Sequence, residues 1–328
     1  MKAIIPVAGA GTRLRPFTST IPKPLLPVAG KPILGHIIDN LIDDGIDDFV
    51  LIIGYMGDKI QEYIEENYDF KMTFVKQDKL LGLGYAVKLG LDVCENEPVL
   101  IALGDTIIEI SLSKIFDSRR NTVGVHLVDN PKRFGVVELG GDRIIGLEEK
   151  PEHPKSNFAI TGPYFFEDAH VLRDALEDLF RKGIRTRDEF QLTDAMKLMV
   201  ENGESIYAIE IHGWFDCGDV ETLILTNRHL LENVSSPKPQ SSAVFIPPVY
   251  VGPNAKVESS IIGPNVSIGK GSVIRDAIIA DSILGDNSEV SCGILRESIL
   301  GNESAYHGRS RRMILGDYSY GGVYEKDH

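Results

Sequence analysis

Between Met1 and Ile38 the chain carries Lys2, Arg13, Arg15, Lys23 and Lys31 and no Asp or Glu, in a protein with a formal net charge of -14. Within that stretch Gly9-Ala10-Gly11-Thr12-Arg13-Leu14-Arg15-Pro16 follows an apolar run, Ala3 to Val7, and leads on to Pro22-Lys23-Pro24-Leu25. Glycines let a backbone turn sharply and approach a ligand, and fixed cations beside such a turn suit a polyphosphate. Taken alone the loop is a weak signal. Leu14 stands where the last glycine of a dinucleotide fingerprint would be, and no Gly-Lys-Ser/Thr makes it a P-loop. By itself it reads as a tight turn with solvated arginines. Two later acidic positions change the weighing: Asp105 follows a strand-like run, and Asp216 lies in Trp214-Phe215-Asp216-Cys217-Gly218. Two carboxylates can hold one magnesium ion on a triphosphate. Read singly, Asp105 is a helix cap, Lys150 beside Glu149 is a surface ion pair, and Gln77 is exposed polar surface.

The elements that must position these residues follow from apolar periodicity. Ala3 to Val7, Phe49 to Ile53, Met72 to Val75 and Val99 to Leu103 read as strands, and Ile33 to Leu41, Ile60 to Glu65 and Tyr85 to Val93 as the helices between them. That alternation predicts an α/β fold with a Rossmann-like mixed, mostly parallel sheet covered on both faces. Ligands in such sheets bind beyond the carboxyl ends of the strands, where the glycine loop and Gly104-Asp105 both fall. From Thr122 to Phe166 the chain is richer in strands, at Val123 to Val128, Gly135 to Leu139, Arg143 to Leu147 and Ala159 to Phe166, and is expected to extend the sheet as a second wall of the site. Helices at Ala169 to Arg181 and Phe190 to Glu201, a strand at Ile206 to Ile211 and a helix at Val220 to Leu231 complete this part.

A Pro/Ser stretch, Ser235 to Ser242, reads as a linker. Beyond it aliphatic-glycine pairs recur at Val251-Gly252, Ile268-Gly269, Leu284-Gly285 and Leu300-Gly301. Aliphatics at Val251, Val257, Ile262, Ile268, Ile274, Ile279, Leu284, Val290, Leu295 and Leu300 form a ladder with steps of five or six. That spacing predicts a short left-handed β-helix. The expected domains are 1–234, a linker 235–242, the β-helix 243–302 and a tail 303–328. So few coils bury little apolar surface alone, so the β-helix is expected to pack on the first domain or on another subunit, making the protein a homo-oligomer.

Composition narrows the classes. With 43 % hydrophobic and 25 % charged residues the chain reads as globular. No apolar run approaches the roughly 18 residues of a membrane helix, and the N-terminus reads as a strand and no signal peptide. Cys94, Cys217 and Cys292 have no paired spacing, which points to a reducing, cytoplasmic setting and away from a zinc site. A pI near 5.1 disfavours nucleic acid and anionic membranes as partners.

The glycine loop with Pro22-Lys23-Pro24-Leu25, Gly82-Leu83-Gly84-Tyr85-Ala86, Gly104-Asp105, Arg133-Phe134-Gly135-Val136-Val137, Glu148-Glu149-Lys150-Pro151, Ile160-Thr161-Gly162, Leu192-Thr193-Asp194-Ala195 and Trp214-Phe215-Asp216 resembles, in order, the sugar-1-phosphate nucleotidylyltransferases. The likeness covers residues 1 to about 233, and the chain is most similar to the long glucose-1-phosphate thymidylyltransferases, whose first domain is followed by a short β-helix. Ile314-Leu315-Gly316-Asp317-Tyr318-Ser319 also resembles the tail of that form. The resemblance implies attack by a sugar 1-phosphate on the α-phosphorus of a nucleoside triphosphate, with release of pyrophosphate. Ala8, Gly9, Gly11 and Thr12 would offer backbone N–H groups to the triphosphate, Arg13 would act on the departing pyrophosphate, and Lys23 would sit near the α-phosphate. Gln77 and Gly82 would read the base, and Asp105 and Asp216 would ligate Mg²⁺. Lys150 would hold the sugar phosphate, with Glu149, the Gly135 backbone and Thr161 around the sugar. Glu189, Asp194 and the helix around them read as scaffold.

Two departures bear on the nucleotide. Ala8 replaces a usual first glycine, as in bacterial UTP:glucose-1-phosphate uridylyltransferases, and Thr106 replaces the common Asn after the metal-binding Asp. The resemblance to the thymidylyltransferases favours dTTP, and because discrimination by one thymine methyl is modest, UTP stays open. The alternatives are a UTP-glucose-1-phosphate or mannose-1-phosphate nucleotidylyltransferase, or a non-catalytic regulatory relative. Retention of Arg13, Lys23, Asp105, Lys150 and Asp216 speaks against the last. The ladder holds no His, with only His307 nearby, which speaks against acyltransferase activity in the β-helix.

Overall fold

A computed structural model describes residues 1–109, 111–237 and 242–309. Part of the expected linker and most of the expected tail, including the Ile314 to Ser319 stretch, lie outside the described residues. The chain divides into two compact units, Met1–Leu230 and a second beginning at Leu231.

The first unit runs β1 (Lys2–Pro6), a short hairpin of β2 (Pro27–Val28) and β3 (Lys31–Pro32), α1 (Ile33–Asp43), β4 (Asp48–Ile53), α2 (Gly57–Asn67), β5 (Lys71–Lys76), α3 (Leu83–Leu91), β6 (Val99–Ile101) and β7 (Thr106–Ile108). It continues through α4 (Ser113–Ser118), β8 (Thr122–Leu127), β9 (Gly135–Gly140), β10 (Arg143–Glu149), β11 (Phe158–Phe166), α5 (Ala169–Lys182), α6 (Leu192–Glu201), β12 (Tyr207–Glu210), β13 (Trp214–Asp216) and α7 (Val220–Leu231). Nine strands form one sheet in the order β5-β4-β1-β6-β11-β8-β12-β10-β9. The first four are parallel, joined by crossovers that carry α1, α2 and α3. Their sequences are near-continuous aliphatics because both faces are covered, and five of the six residues of β4 are buried.

Beyond β6 the sheet is less parallel than expected. Strands β6, β11 and β8 pair antiparallel, β8 and β12 parallel, and β9 and β10 form an antiparallel hairpin across the Gly140-Gly141 turn, because a connection that short cannot cross over. Boundaries also differ. The strand expected to reach Leu103 ends at Ile101, where the Leu103 carbonyl accepts from the Thr106 N–H in a turn. The helix expected from Phe190 starts at Leu192, because the Phe190 N–H donates to the Leu81 carbonyl and its carbonyl accepts from Gly84.

The register of β1 against β6, Lys2 with Val99 through Ile4 with Ile101, sets the carboxyl ends of these strands side by side. The glycine loop follows one and Gly104-Asp105 follows the other. A core including Ile4, Ile52, Val99, Ile101, Phe166, Leu172 and Met196 anchors both strands. Each fully buried large side chain contributes about 1.5–3 kcal/mol.

In the second unit twelve short strands form three parallel four-stranded sheets, an arrangement consistent with a β-helix. Successive strands of each sheet stack in register, as at Val257, Ile274 and Val290. All ten ladder positions enter one apolar core, Val251, Leu295 and Leu300 at its partly buried margin. No helix among the described residues is long and apolar enough to cross a membrane.

Candidate functional site

A cavity of about 470 Å³ opens at the carboxyl ends of β1 and β6. One wall is the glycine loop. Gly9, Gly11, Thr12, Arg13 and Lys23 all line it. Gly11 sits at φ +57, and a Cβ there would lie 2.8 Å from Lys23 Cβ, so the residue must be glycine on both counts. Its carbonyl accepts from the Thr18 hydroxyl at 2.9 Å and from the Leu14 N–H at 3.0 Å. Leu14, fully buried, pins the 3-10 turn Thr12–Leu14 that carries Arg13.

The acidic wall is made by a pairing that apolar periodicity does not announce. Strands β7 and β13 form a two-stranded antiparallel ribbon with Thr106 opposite Asp216, and the Cys217 N–H donates to the Asp105 carbonyl at 3.0 Å. The ribbon sets Asp105 beside Asp216. Lys23, itself buried, reaches across so that Nζ donates to Asp105 Oδ2 at 2.5 Å. Burial, and then the like charge of Asp105, pushes the Asp216 carboxyl above the usual carboxylate range, while Lys23, Arg13 and Arg133 pull it down. Gly218 lines the cavity, and a Cβ on it would lie 2.8 Å from Asp216 Oδ2. Burial pushes the adjacent Cys217 thiol up to about 12, so it stays protonated.

Among the described residues no group of three or more His, Cys, Asp or Glu side chains could hold a metal by itself. Two adjacent carboxylates whose charges repel each other, with a side-chain-free glycine against one of them, nevertheless fit a hard cation that draws its other ligands from phosphate and water.

The remaining wall comes from the β9–β10 hairpin and the start of α6. Gly135 and Glu149 are cross-strand partners. Glu149 Oε1 lies 3.0 Å from Lys150 Nζ and Oε2 accepts from the Thr193 hydroxyl at 2.7 Å. With the Glu149 side chain only 8 % exposed, this pair is no surface ion pair. Lys150 sits at φ 45, where a side chain costs about 1–2 kcal/mol, and its N–H donates to the Phe134 carbonyl at 2.9 Å.

Arg13, Lys23, Gly9, Gly11, Thr12, Asp105, Gly135, Glu149 and Lys150 therefore share one cavity. Ala8, Gln77, Gly82, Thr161 and Asp216 do not line it. Ala8 is buried, its carbonyl accepting from Tyr55 N–H at 3.2 Å. Gln77 is buried rather than exposed, with Nε2 donating to the Lys79 carbonyl at 2.9 Å. Gly82, at φ +106, precedes α3 against the Phe190 carbonyl. Thr161 is buried and its hydroxyl donates to the Gly162 carbonyl at 2.9 Å. Asp216 stands beside the cavity through Asp105 and Gly218.

The region read as scaffold needs correcting. Glu189, Gln191 and Thr193 line the cavity, because the loop before α6 folds back on α3 and brings the helix start to the hairpin. Arg133, Phe134 and Tyr164 were also missed as lining. Burial, then the charges of Glu149 and Asp105, pushes the Tyr164 hydroxyl well above its ordinary range, which keeps it a neutral hydrogen-bonding group. The available signal for Thr193 and Arg133 was their place inside two of the motifs.

Residues 2–233 match the nucleotidyl transferase family. The chain is 35 % identical to the glucose-1-phosphate thymidylyltransferase of Streptomyces antibioticus over 95 % of this chain and 90 % of that one. It is also 35 % identical to the bifunctional protein GlmU of Methanococcus maripaludis strain C5, over 91 % and 81 %. In structure it is similar to a UDP-glucose pyrophosphorylase complexed with UDP-glucose, with a TM-score of 0.63 and 25 % identity over 71 % of this chain and 99 % of that one. Sequence motifs, the mixed α/β fold and the shared cavity converge with these likenesses: the chain belongs to the nucleotidyl transferase family, among its sugar-1-phosphate members.

Proposed function

We propose that the protein joins a nucleoside triphosphate, dTTP in preference to UTP, to a sugar 1-phosphate, glucose 1-phosphate in preference to others, giving a nucleotide sugar and pyrophosphate. The observation that carries this reading is one cavity with cations and a glycine loop on one wall, Asp105 on the next with Asp216 set beside it by the β7–β13 ribbon, and a Glu-Lys pair with hydrogen-bonding groups on the third.

In this reading an oxygen of the sugar phosphate forms a bond to the α-phosphorus as the bond from that phosphorus to the bridging oxygen of pyrophosphate breaks. The nucleophile is already an anion, so no general base is needed, and rate comes from alignment and charge neutralisation. The amides of Ala8, Gly9, Gly11 and Thr12 bind the triphosphate, Lys23 neutralises the α-phosphate, and Arg13 takes the growing charge on pyrophosphate. Lys150 holds the sugar phosphate and Glu149 and the Gly135 backbone set the sugar, while Thr161 for the sugar and Gln77 and Gly82 for the base, which do not line the cavity, keep only the roles that the resemblance implies. Asp105 and Asp216 hold Mg²⁺, which when bound screens the phosphate charges from each other. UTP as the nucleotide is favoured by one observation, the alanine that opens the loop at Ala8.

The test is a matrix of nucleoside triphosphates against sugar 1-phosphates with Mg²⁺, following pyrophosphate release. Turnover is expected with dTTP and glucose 1-phosphate; no turnover with any pair sinks the enzymatic reading.

The second unit reads as a left-handed β-helix that joins copies of this chain. Val244, Ile261, Ile278 and Ile294 stand in register on the outer face of one sheet with between 39 % and 72 % of their surface exposed. Sedimentation at micromolar concentration is expected to show an oligomer, and a monomer would refute this.

A further inference from the structure

Arg133 has no part in the reading above, yet the fold holds it at the cavity. It ends the 3-10 turn Pro131–Arg133 that leads into β9, and about half of its side chain, 49 %, is exposed. Its Nη2 donates to Asp219 Oδ2 at 3.2 Å. Asp219 is fixed in turn: Oδ1 accepts from the Thr222 N–H at 3.0 Å, and the Asp219 N–H donates to the Thr222 hydroxyl at 3.1 Å. The next residue, Phe134, packs edge-on against Trp214 with ring centroids 5.4 Å apart. Two consecutive residues thus reach from the hairpin to both sides of Asp216, one to Trp214 and one to Asp219. Gly135 follows directly and pairs with Glu149.

A guanidinium carries five N–H donors in a rigid plane, and the bond to Asp219 uses one. The side chain is held by a partner, so less freedom is lost when it binds a ligand. Its place in the chain sets it apart from the triphosphate groups. Arg13 and Lys23 belong to the loop after β1, whereas Arg133 belongs to the connection that carries Gly135. It leads into that hairpin, pairs with Asp219 three residues after Asp216, and moderates the charge of Asp216.

We propose that Arg133 is a further substrate-binding residue that, steadied by Asp219, donates to the phosphate of the sugar 1-phosphate. The proposal rests on the reading of this cavity as a sugar-1-phosphate nucleotidyltransferase site. A planar fork beside the metal-side carboxylates suits an anion that must be held with one oxygen free to attack.

The test uses full-length protein carrying Arg133→Gln, Arg133→Lys or Asp219→Asn, with both substrates varied and thermal melts recorded. Arg133→Gln is expected to raise KM for the sugar 1-phosphate about tenfold or more, the effect of losing a charged hydrogen bond, and to leave KM for the triphosphate within about twofold. Arg133→Lys keeps the charge but loses the fork, and Asp219→Asn loosens the arginine, so both should fall between. Fluorescence of Trp214, the single tryptophan, supplies a second readout. Arg133→Gln should weaken binding of the sugar 1-phosphate by a similar factor and leave binding of the unphosphorylated sugar unchanged. Unchanged sugar-phosphate constants in a folded Arg133→Gln, or a raised triphosphate KM instead, overturns the proposal. Should Arg133→Gln not fold, wild-type constants in both other variants do the same. Wild-type enzyme in the same assay separates the two readings: if it turns over, failure belongs to Arg133 alone, and if it does not, both fall.

Discussion

Replacing Asp216 or Asp105 by Asn is expected to lower turnover about a thousandfold or more with folding intact. Metal-assisted charge neutralisation accounts for several kcal/mol of transition-state stabilisation, and each 1.36 kcal/mol is a factor of ten. The two variants should part in stability. Burial and the charge of Asp105 raise the Asp216 carboxyl, so the folded chain binds its proton more tightly than the unfolded chain does. This residue's contribution to stability is therefore present at acid pH and lost as pH rises from the ordinary carboxylate value through the raised one. Asp216→Asn removes that loss and should melt at or above the wild-type temperature at neutral pH. Asp105→Asn leaves buried Lys23 without its carboxylate partner and should melt lower. Pyrophosphate release and thermal melts on the same preparations check both halves. Undiminished turnover in both variants would place the metal elsewhere.

Arg13→Ala should depress kcat about 10²–10³-fold, the usual cost of losing one preorganised donor at a developing charge. KM for the sugar 1-phosphate should change little, because Arg13 sits on the triphosphate wall while Lys150 and Glu149 belong to the hairpin. The turn that carries Arg13 is pinned by Leu14 rather than by the arginine itself, so the substitution should not unfold the loop. Arg13→Lys, which keeps the charge but not the fork, should recover part of the rate. Steady-state kinetics with each substrate varied decides the point: a raised sugar-phosphate KM with unchanged kcat would move Arg13 to sugar binding.

Most strands of the parallel half were legible because they are buried on both faces and their apolar runs are unbroken, as in Phe49 to Ile53. The ladder of the second unit was legible for a similar reason: its ten aliphatics recur at fixed steps, and all of them enter one core. The glycine loop was visible as a charge anomaly, and Gly11 has the positive φ that a sharp glycine turn suggested. Less was legible where pairing is short or long-range. Strands β7 and β13 are three residues each, too brief for periodicity to register. Glu189 and Thr193 looked like scaffold because nothing local shows that the loop before α6 folds back onto Gly84 and Leu81.

By itself, the sequence determined the chemical inventory: a loop of cations without carboxylates, acids deferred to later strands, and two repeating grammars that specify a mixed α/β unit and a unit of short parallel strands. These are local properties, written in residue type and spacing. The tertiary structure alone decided which of those residues meet. Asp105 and Asp216 are neighbours only because two short strands pair across more than a hundred residues. Thr193 meets Glu149, the chain neighbour of Lys150, only because a hairpin and a helix start are packed together. Such juxtapositions come from burying many side chains at once, and no single stretch of chain carries that information.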